Sequence, residues 1–107
     1  MEDMLNKSSV YDIFQLIDTK LSEIPINGRG VYVLYSLTGK ALYVGKSECL
    51  RKRIRCHLKG QEKITENYIP FVSTVRTIYV AEEVGRHNLF SVERWFISQL
   101  KPEFNII

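Results

Sequence analysis

The residue whose type and position most suggest chemistry is Glu93. Between residues 88 and 100 apolar side chains recur at helical spacing. At about 100° per residue Glu93 projects between Leu89 and Ile97, inside the face completed by Val92, Phe96 and Leu100. A carboxylate carried into apolar surroundings takes up a proton, pairs with a cation such as an arginine, or binds a metal. Tyr32 and Tyr43 form a second candidate pair, in two strand-like segments bordered by Gly30 and Gly45. Glycine in a strand marks close approach of a ligand or another backbone, and phenols position water or move protons. Paired aromatics on a hairpin are also ordinary cross-strand packing. Third, residues 46–63 carry seven lysines and arginines against two acids. Such a cluster is the footprint of a polyphosphate ligand, and equally the composition of a solvated helix face. Within it Arg53 and His57 share one flank of a Leu50/Ile54/Leu58 stripe, and Arg51 and Arg55 the other. Periodicity does not choose among these arginines.

The elements that must position these groups follow from the apolar pattern. Val10, Ile13, Phe14, Leu16, Ile17 and Leu21 recur at helical spacing and predict a helix over 10–21. Pro25, Asn27 and Gly28 break it. Residues 30–35 and 41–45 are rich in β-branched and aromatic types and predict strands, joined as a hairpin through a turn at 36–40. A four-residue loop sets Tyr35 opposite Lys40 and Tyr32 opposite Tyr43, and a bulge at Gly39 shifts this by one while leaving the rings neighbours. The Leu50 stripe predicts a helix with Ser47 as its N-cap and Gly60 as its end. Residues 61–73 read as irregular, 74–81 as a third strand, and 88–100 as a last helix stopped before Pro102. The apolar tail, 101–107, is expected to fold back on the body. The expected class is α+β: a small three-stranded, mainly antiparallel sheet flanked by helices, in the order α-β-β-α-β-α.

Composition narrows the function. The 107 residues suit one domain, and 45% hydrophobic with 25% charged residues is unlike a disordered or collagenous chain. No apolar run approaches the roughly 20 residues that span a bilayer, so no membrane role is expected. The acidic start, Met1-Glu2-Asp3-Met4, is not followed by an apolar segment and does not read as a signal peptide; a cytoplasmic location is expected. Cys49 and Cys56, seven residues apart, would stand about 10 Å apart along one helix, too far for a disulfide. No spacing suggests zinc.

Together these pieces resemble a known family. Gly30-Val31-Tyr32, followed eleven residues later by Tyr43-Val44-Gly45, is similar to the paired signature of the GIY-YIG nucleases, with Val in both Ile positions. That family includes the N-terminal incision domain of a bacterial excision-repair protein, homing endonucleases and some restriction enzymes. The resemblance runs on through Lys46-Ser47, Arg53, His57 and Glu93 into Lys101-Pro102-Glu103-Phe104-Asn105. It implies a single nuclease domain over 1–107, with a core at 28–107 and a helical extension at 1–27. It also selects Arg53, ten positions after the second tyrosine, as the essential arginine, and Glu93 as the metal ligand.

The implied activity is hydrolysis of a phosphodiester with one Mg²⁺, or Mn²⁺, held by Glu93, leaving a 5′-phosphate and a 3′-hydroxyl. DNA is the expected partner. In this reading Arg53 binds a phosphate oxygen, Tyr32 activates water, Lys46 assists it, and Tyr43 and His57 position water or phosphate. Arg51 and Arg55 add phosphate contacts, and Asn105 braces the site. The family's nucleases usually carry a separate DNA-binding domain. The chain is therefore expected to be a fragment, to act alone with low specificity, or to be targeted by another subunit. The alternatives are a nucleic-acid-binding module of the same fold without catalysis, and a protein-interaction domain in which Glu93 is only an ion-pair partner.

Overall fold

The computed structural model describes residues 5–12, 24, 28–58, 71–80 and 86–105. Among them four strands and two helices follow the order β1 (Leu5–Asp12), β2 (Gly30–Ser36), β3 (Ala41–Ser47), α1 (Leu50–Leu58), β4 (Val72–Val80) and α2 (Arg86–Leu100). The strands form one antiparallel sheet in the order β1-β4-β2-β3. The fold is α+β, with two corrections to the expected arrangement. The sheet has four strands rather than three, and its first element is a strand. Val10, Tyr11 and Asp12, expected to open a helix, pair with Arg76, Val75 and Thr74; the rest of that expected helix, 13–21, lies outside the described residues.

The strand at Leu5–Asp12 lies at the edge of the sheet on its ladder to β4; Tyr11 packs against the core, while Val10 is 64% exposed. The strand's sequence holds only Leu5, Val10 and Tyr11 as apolar residues and so carries little of the alternation that marks a half-buried strand. Val72 and Ser73 extend β4 two residues into the stretch expected to be irregular. Gly60, expected to end α1, also lies outside the described residues.

Successive side chains of a strand point to opposite faces, and β2 uses both. Tyr32 and Leu34 join Ile24, Leu42, Val75 and the Leu50/Ile54 stripe of α1 in one core. Val31 and Val33 join Val44, Ile78 and Val80 under Leu89, Val92, Phe96 and Ile97 of α2 in another. The sheet is thus sandwiched between the two helices. Truncating a buried stripe residue such as Leu50 to alanine removes about 2–5 kcal/mol of stability.

The hairpin register differs from the expected one. The Ser36 carbonyl accepts from Gly39 N–H, and Ser36 N–H bonds the Lys40 carbonyl, so the loop has three residues with Gly39 at φ 84°. A second irregularity lies between Leu34 and Tyr35. The two displacements together set Tyr43 opposite Leu34 and Gly45 opposite Tyr32. A shift of two keeps both tyrosines on one face, as diagonal neighbours.

The described part of the tail, 101–105, does fold back. Lys101 takes a left-handed conformation (φ 48°) after the last helical turn, and buried Pro102 follows. The reversal carries Glu103 and Phe104 to the outer edge of β3, where their N–H groups donate to the carbonyls of Ala41 (3.2 Å) and Leu42 (2.9 Å). An edge that would otherwise offer unpaired backbone groups is thereby covered.

Candidate active site

The site is organised around the end of β3. Gly45 sits directly opposite Tyr32, and a Cβ built there would overlap the Cζ and hydroxyl oxygen of the Tyr32 ring. Only a glycine lets that ring lie across the strand. Gly30 has the matching role toward β4, where a Cβ would overlap the Ile78 carbonyl oxygen. The laid-down ring directs its hydroxyl at α1, and there Tyr32 Oη and His57 Nε2 share a 2.5 Å hydrogen bond. Both residues are sealed, at 0% and 2% exposure. Tyr43 completes a triangle of rings, 6.1 Å from Tyr32 and 5.6 Å from His57 between centroids, and keeps part of its surface exposed. Thr77, opposite Tyr32 on the other side, is also fully buried, and its hydroxyl has no hydrogen-bond partner among the described residues. Sequence reasoning did not single out Thr77, because a threonine in a β-branched run reads as strand composition.

The start of α1 sorts the arginines that periodicity left equivalent. Cys49 accepts the first helical bond, from Arg53 N–H, and is the N-cap; Ser47, expected in that place, instead accepts the Cys49 N–H through Oγ at 3.0 Å. Arg51 turns away from solvent, and its Nε donates to the Ile24 carbonyl at 2.5 Å. Arg53 is exposed and lines a cleft of about 160 Å³ with Ser47, Cys49, Lys52 and Cys56. Arg55 is exposed. Both cysteines are free thiols, as their spacing required.

Glu93 reaches the same strand end from the opposite face of the sheet. It is half-buried on α2, one turn beyond Leu89. Burial pushes its carboxyl pKa up; the charges of Lys46 and Arg94 and a hydrogen bond from the Lys46 backbone N–H work in the other direction. The Lys46 ammonium itself stands exposed over the Phe90 ring. A second cleft, of about 350 Å³, is lined by Lys46, Ser47, Glu48 and Leu89. Ser47 borders both clefts, so Gly45, Lys46 and Ser47 connect the ring triangle, the Glu93 carboxylate and the Arg53 cleft along three consecutive residues.

Asn105 closes the arrangement. Its Oδ1 accepts from Val44 N–H at 2.7 Å and its Nδ2 donates to the Val44 carbonyl at 2.8 Å, so the amide extends the ladder on β3. Glu103 carries a 3.3 Å ion pair with Lys40 on the same edge. No group of three or more histidine, cysteine or acidic side chains suited to a metal occurs among the described residues. A metal held at Glu93 would have few protein donors and mostly water around it. That is the donor set of a strongly hydrated Mg²⁺, which keeps most of its waters, and not of structural zinc or caged calcium.

Residues 28–106 match the family model described as the UvrC-like GIY-YIG domain. UvrABC system protein C from Microcystis aeruginosa is 31% identical over 104 residues, covering 96% of this chain and 16% of the relative. The same protein from Aliarcobacter butzleri is 28% identical over 97 residues, covering 85% and 16%. The chain spans about one sixth of the length of these curated relatives. Among solved structures, the GIY-YIG N-terminal endonuclease domain of UvrC from Thermotoga maritima, bound to catalytic magnesium, superposes with a TM-score of 0.69 at 26% identity. The match covers 84% of this chain and 96% of that one.

Proposed function

Because the chain belongs to the UvrC-like GIY-YIG domain family, we propose that it is a metal-dependent endonuclease that hydrolyses DNA phosphodiesters, one strand at a time. The observation that carries the reading is the convergence of Glu93, Lys46 and the Tyr32/Tyr43/His57 triangle on the end of β3. The magnesium-bound relative supports Mg²⁺ as the ion, with Mn²⁺ as its usual substitute. Glu93 would hold it. Once bound, the ion supplies positive charge to the scissile phosphate and to the departing 3′-oxygen.

The chain's own residues do the rest. Arg53 offers a planar fork to a non-bridging phosphate oxygen, which a point charge does not reproduce. Lys46 adds charge beside Glu93, and exposed Arg55 extends the basic surface along the duplex. Arg51, spent on the Ile24 carbonyl, contributes to the fold instead. A general base must touch the water it deprotonates. Tyr32 has no exposed surface and its hydroxyl is engaged by His57, whereas Tyr43 is partly exposed on the same face. Burial thus favours Tyr43 as the phenol that meets water, with Tyr32 and His57 fixing its position, in place of the sequence-based choice of Tyr32. Asn105 holds β3 straight beneath them. Inversion at phosphorus with the 3′-oxygen leaving yields a 5′-phosphate and a 3′-hydroxyl. The full-length relatives suggest that another domain or subunit selects the site on DNA.

The test is cleavage of end-labelled DNA and RNA panels (single-stranded, duplex, flap and gapped) with Mg²⁺ or with EDTA. Mg²⁺-dependent incision of DNA that Glu93→Gln abolishes is the expected result. Binding that is unchanged in EDTA, with no incision under any condition, would instead mark a binding module.

A further inference from the structure

Phe90 is a large apolar side chain left 52% exposed in an ordered helix. It lies one turn before Glu93 on α2, and the Lys46 Nζ stands 6.0 Å from its ring centroid. Lys46 also ties this ring to Glu93, since its backbone N–H donates to that carboxylate. An aromatic ring beside a cation that itself lines a cleft with Ser47, Glu48 and Leu89 combines two elements of single-strand recognition. The π-face offers stacking to any base and the ammonium meets the neighbouring phosphate. A paired base is already stacked on both sides within its duplex and cannot cover the ring. An unpaired one can.

We propose that Phe90 is a stacking platform for an unpaired nucleobase next to the scissile phosphate, so that the preferred substrate is single-stranded or locally opened at the cut. The inference rests on the nuclease reading above and deepens it by naming the state of the strand. Charge complementarity selects the occupant: an apolar protein partner would gain nothing from the ammonium over the ring, whereas a nucleotide uses both groups. Phe90 touches substrate in this account but takes no part in the proton or metal chemistry.

The experiment measures binding of a fluorescent single-stranded oligonucleotide and its duplex in EDTA, where no cleavage occurs, using the full chain. Phe90→Leu keeps apolar bulk and removes the π-face, and Phe90→Trp keeps the π-face. With Phe90→Leu, single-strand affinity should fall by roughly 5- to 100-fold, the worth of one base–aromatic stack. Duplex affinity should change less than about twofold, and Phe90→Trp should bind the single strand at least as well as the wild type. A scan with one abasic nucleotide should find a position that costs the wild type the same factor and costs Phe90→Leu nothing, the signature of a shared contact. Equal single-strand binding by wild type and Phe90→Leu overturns the proposal, as does an equal loss on both substrates. If the wild type still incises DNA with Mg²⁺ in either case, only the stacking inference has failed. A wild type that incises nothing takes the nuclease reading with it.

Discussion

Tyr32 and His57 meet through a 2.5 Å hydrogen bond between a phenol from β2 and an imidazole from α1, with neither residue reaching solvent. The contact joins an inner strand of the sheet to the helix that carries Arg53, so it fixes the distance between the ring triangle and the Arg53 flank. Removing one partner takes a hydrogen bond from a buried polar group. His57→Ala should lower stability by about 1–3 kcal/mol for the lost buried hydrogen bond, with a further loss from the cavity. Tyr32→Phe combined with His57→Phe should be less destabilising than the sum of the single changes, because the pair is removed as a unit. Strict additivity in urea unfolding would show that the bond contributes little to the fold.

Gly45→Ala tests the close approach beneath that pair. The added methyl overlaps the Tyr32 ring, so the ring must rotate off the strand and away from His57. A stability loss of about 1–3 kcal/mol is expected, the ordinary cost of overpacking. Incision should fall much further than stability does. Retained activity in a folded Gly45→Ala protein would mean that the ring's position does not matter to turnover.

Much of the fold and site was legible in the sequence, for identifiable reasons. Glu93 stood out because a carboxylate interrupts an otherwise apolar helical face, and its raised pKa records the same conflict. The hairpin was legible from its β-branched runs, but its register was not. The one-residue shift at the Gly39 loop is an alternative that the glycine itself announces, whereas the second, at Leu34/Tyr35, depends on backbone geometry that side-chain types do not encode. The first strand was hidden because a ladder to β4 holds it, while Val10 falls in step with the helical spacing of the apolar residues that follow it in sequence. Arg51 and Arg53 were indistinguishable in projection. What separates them is a carbonyl 27 residues upstream, at Ile24.

That separation yields a prediction. Arg51→Ala should cost about 1.5–3 kcal/mol, the worth of a hydrogen bond from a charged donor, and leave kcat near the wild-type value. Arg53→Lys should be nearly as inactive as Arg53→Ala while unfolding at the wild-type urea concentration. Arg55→Ala should weaken DNA binding and flatten its salt dependence. Equal loss of turnover in all four variants would remove any special role for Arg53.

Glu93→Gln should abolish incision and stabilise the metal-free protein at neutral pH. Burial raises the Glu93 pKa above its ordinary value, against the opposing effects of Lys46 and Arg94. The folded state therefore holds a proton that the unfolded state has already released, and stability falls as pH rises from the ordinary glutamate range through the raised pKa. The neutral glutamine escapes that penalty. The difference in Tm between variant and wild type should be near zero below the ordinary glutamate pKa and grow as pH rises. Saturating Mg²⁺ should reverse the order by stabilising only the wild type. A Glu93→Gln protein less stable than wild type at pH 7 in EDTA would argue that the carboxylate forms a favourable ion pair instead.

The two tyrosines are distinguished by single-turnover kinetics. Each Tyr→Phe change removes one hydroxyl and keeps the ring, so chemistry is separated from packing. If Tyr43 accepts the proton of the attacking water, Tyr43→Phe should lose roughly two to four powers of ten in rate, the usual worth of a general base. Its DNA affinity should be unchanged. Tyr32→Phe should lose less in rate and more in stability, since its hydroxyl is buried against His57 and its absence leaves Nε2 without that partner. The pH profile adds a second readout. A phenol acting as base makes the rate rise with pH toward the tyrosine range near 10, and that rise should persist in Tyr32→Phe and flatten in Tyr43→Phe. The opposite ranking, with Tyr32→Phe the slower enzyme and the one that loses the rise, would return the role of base to the buried ring and require water to reach it when DNA binds.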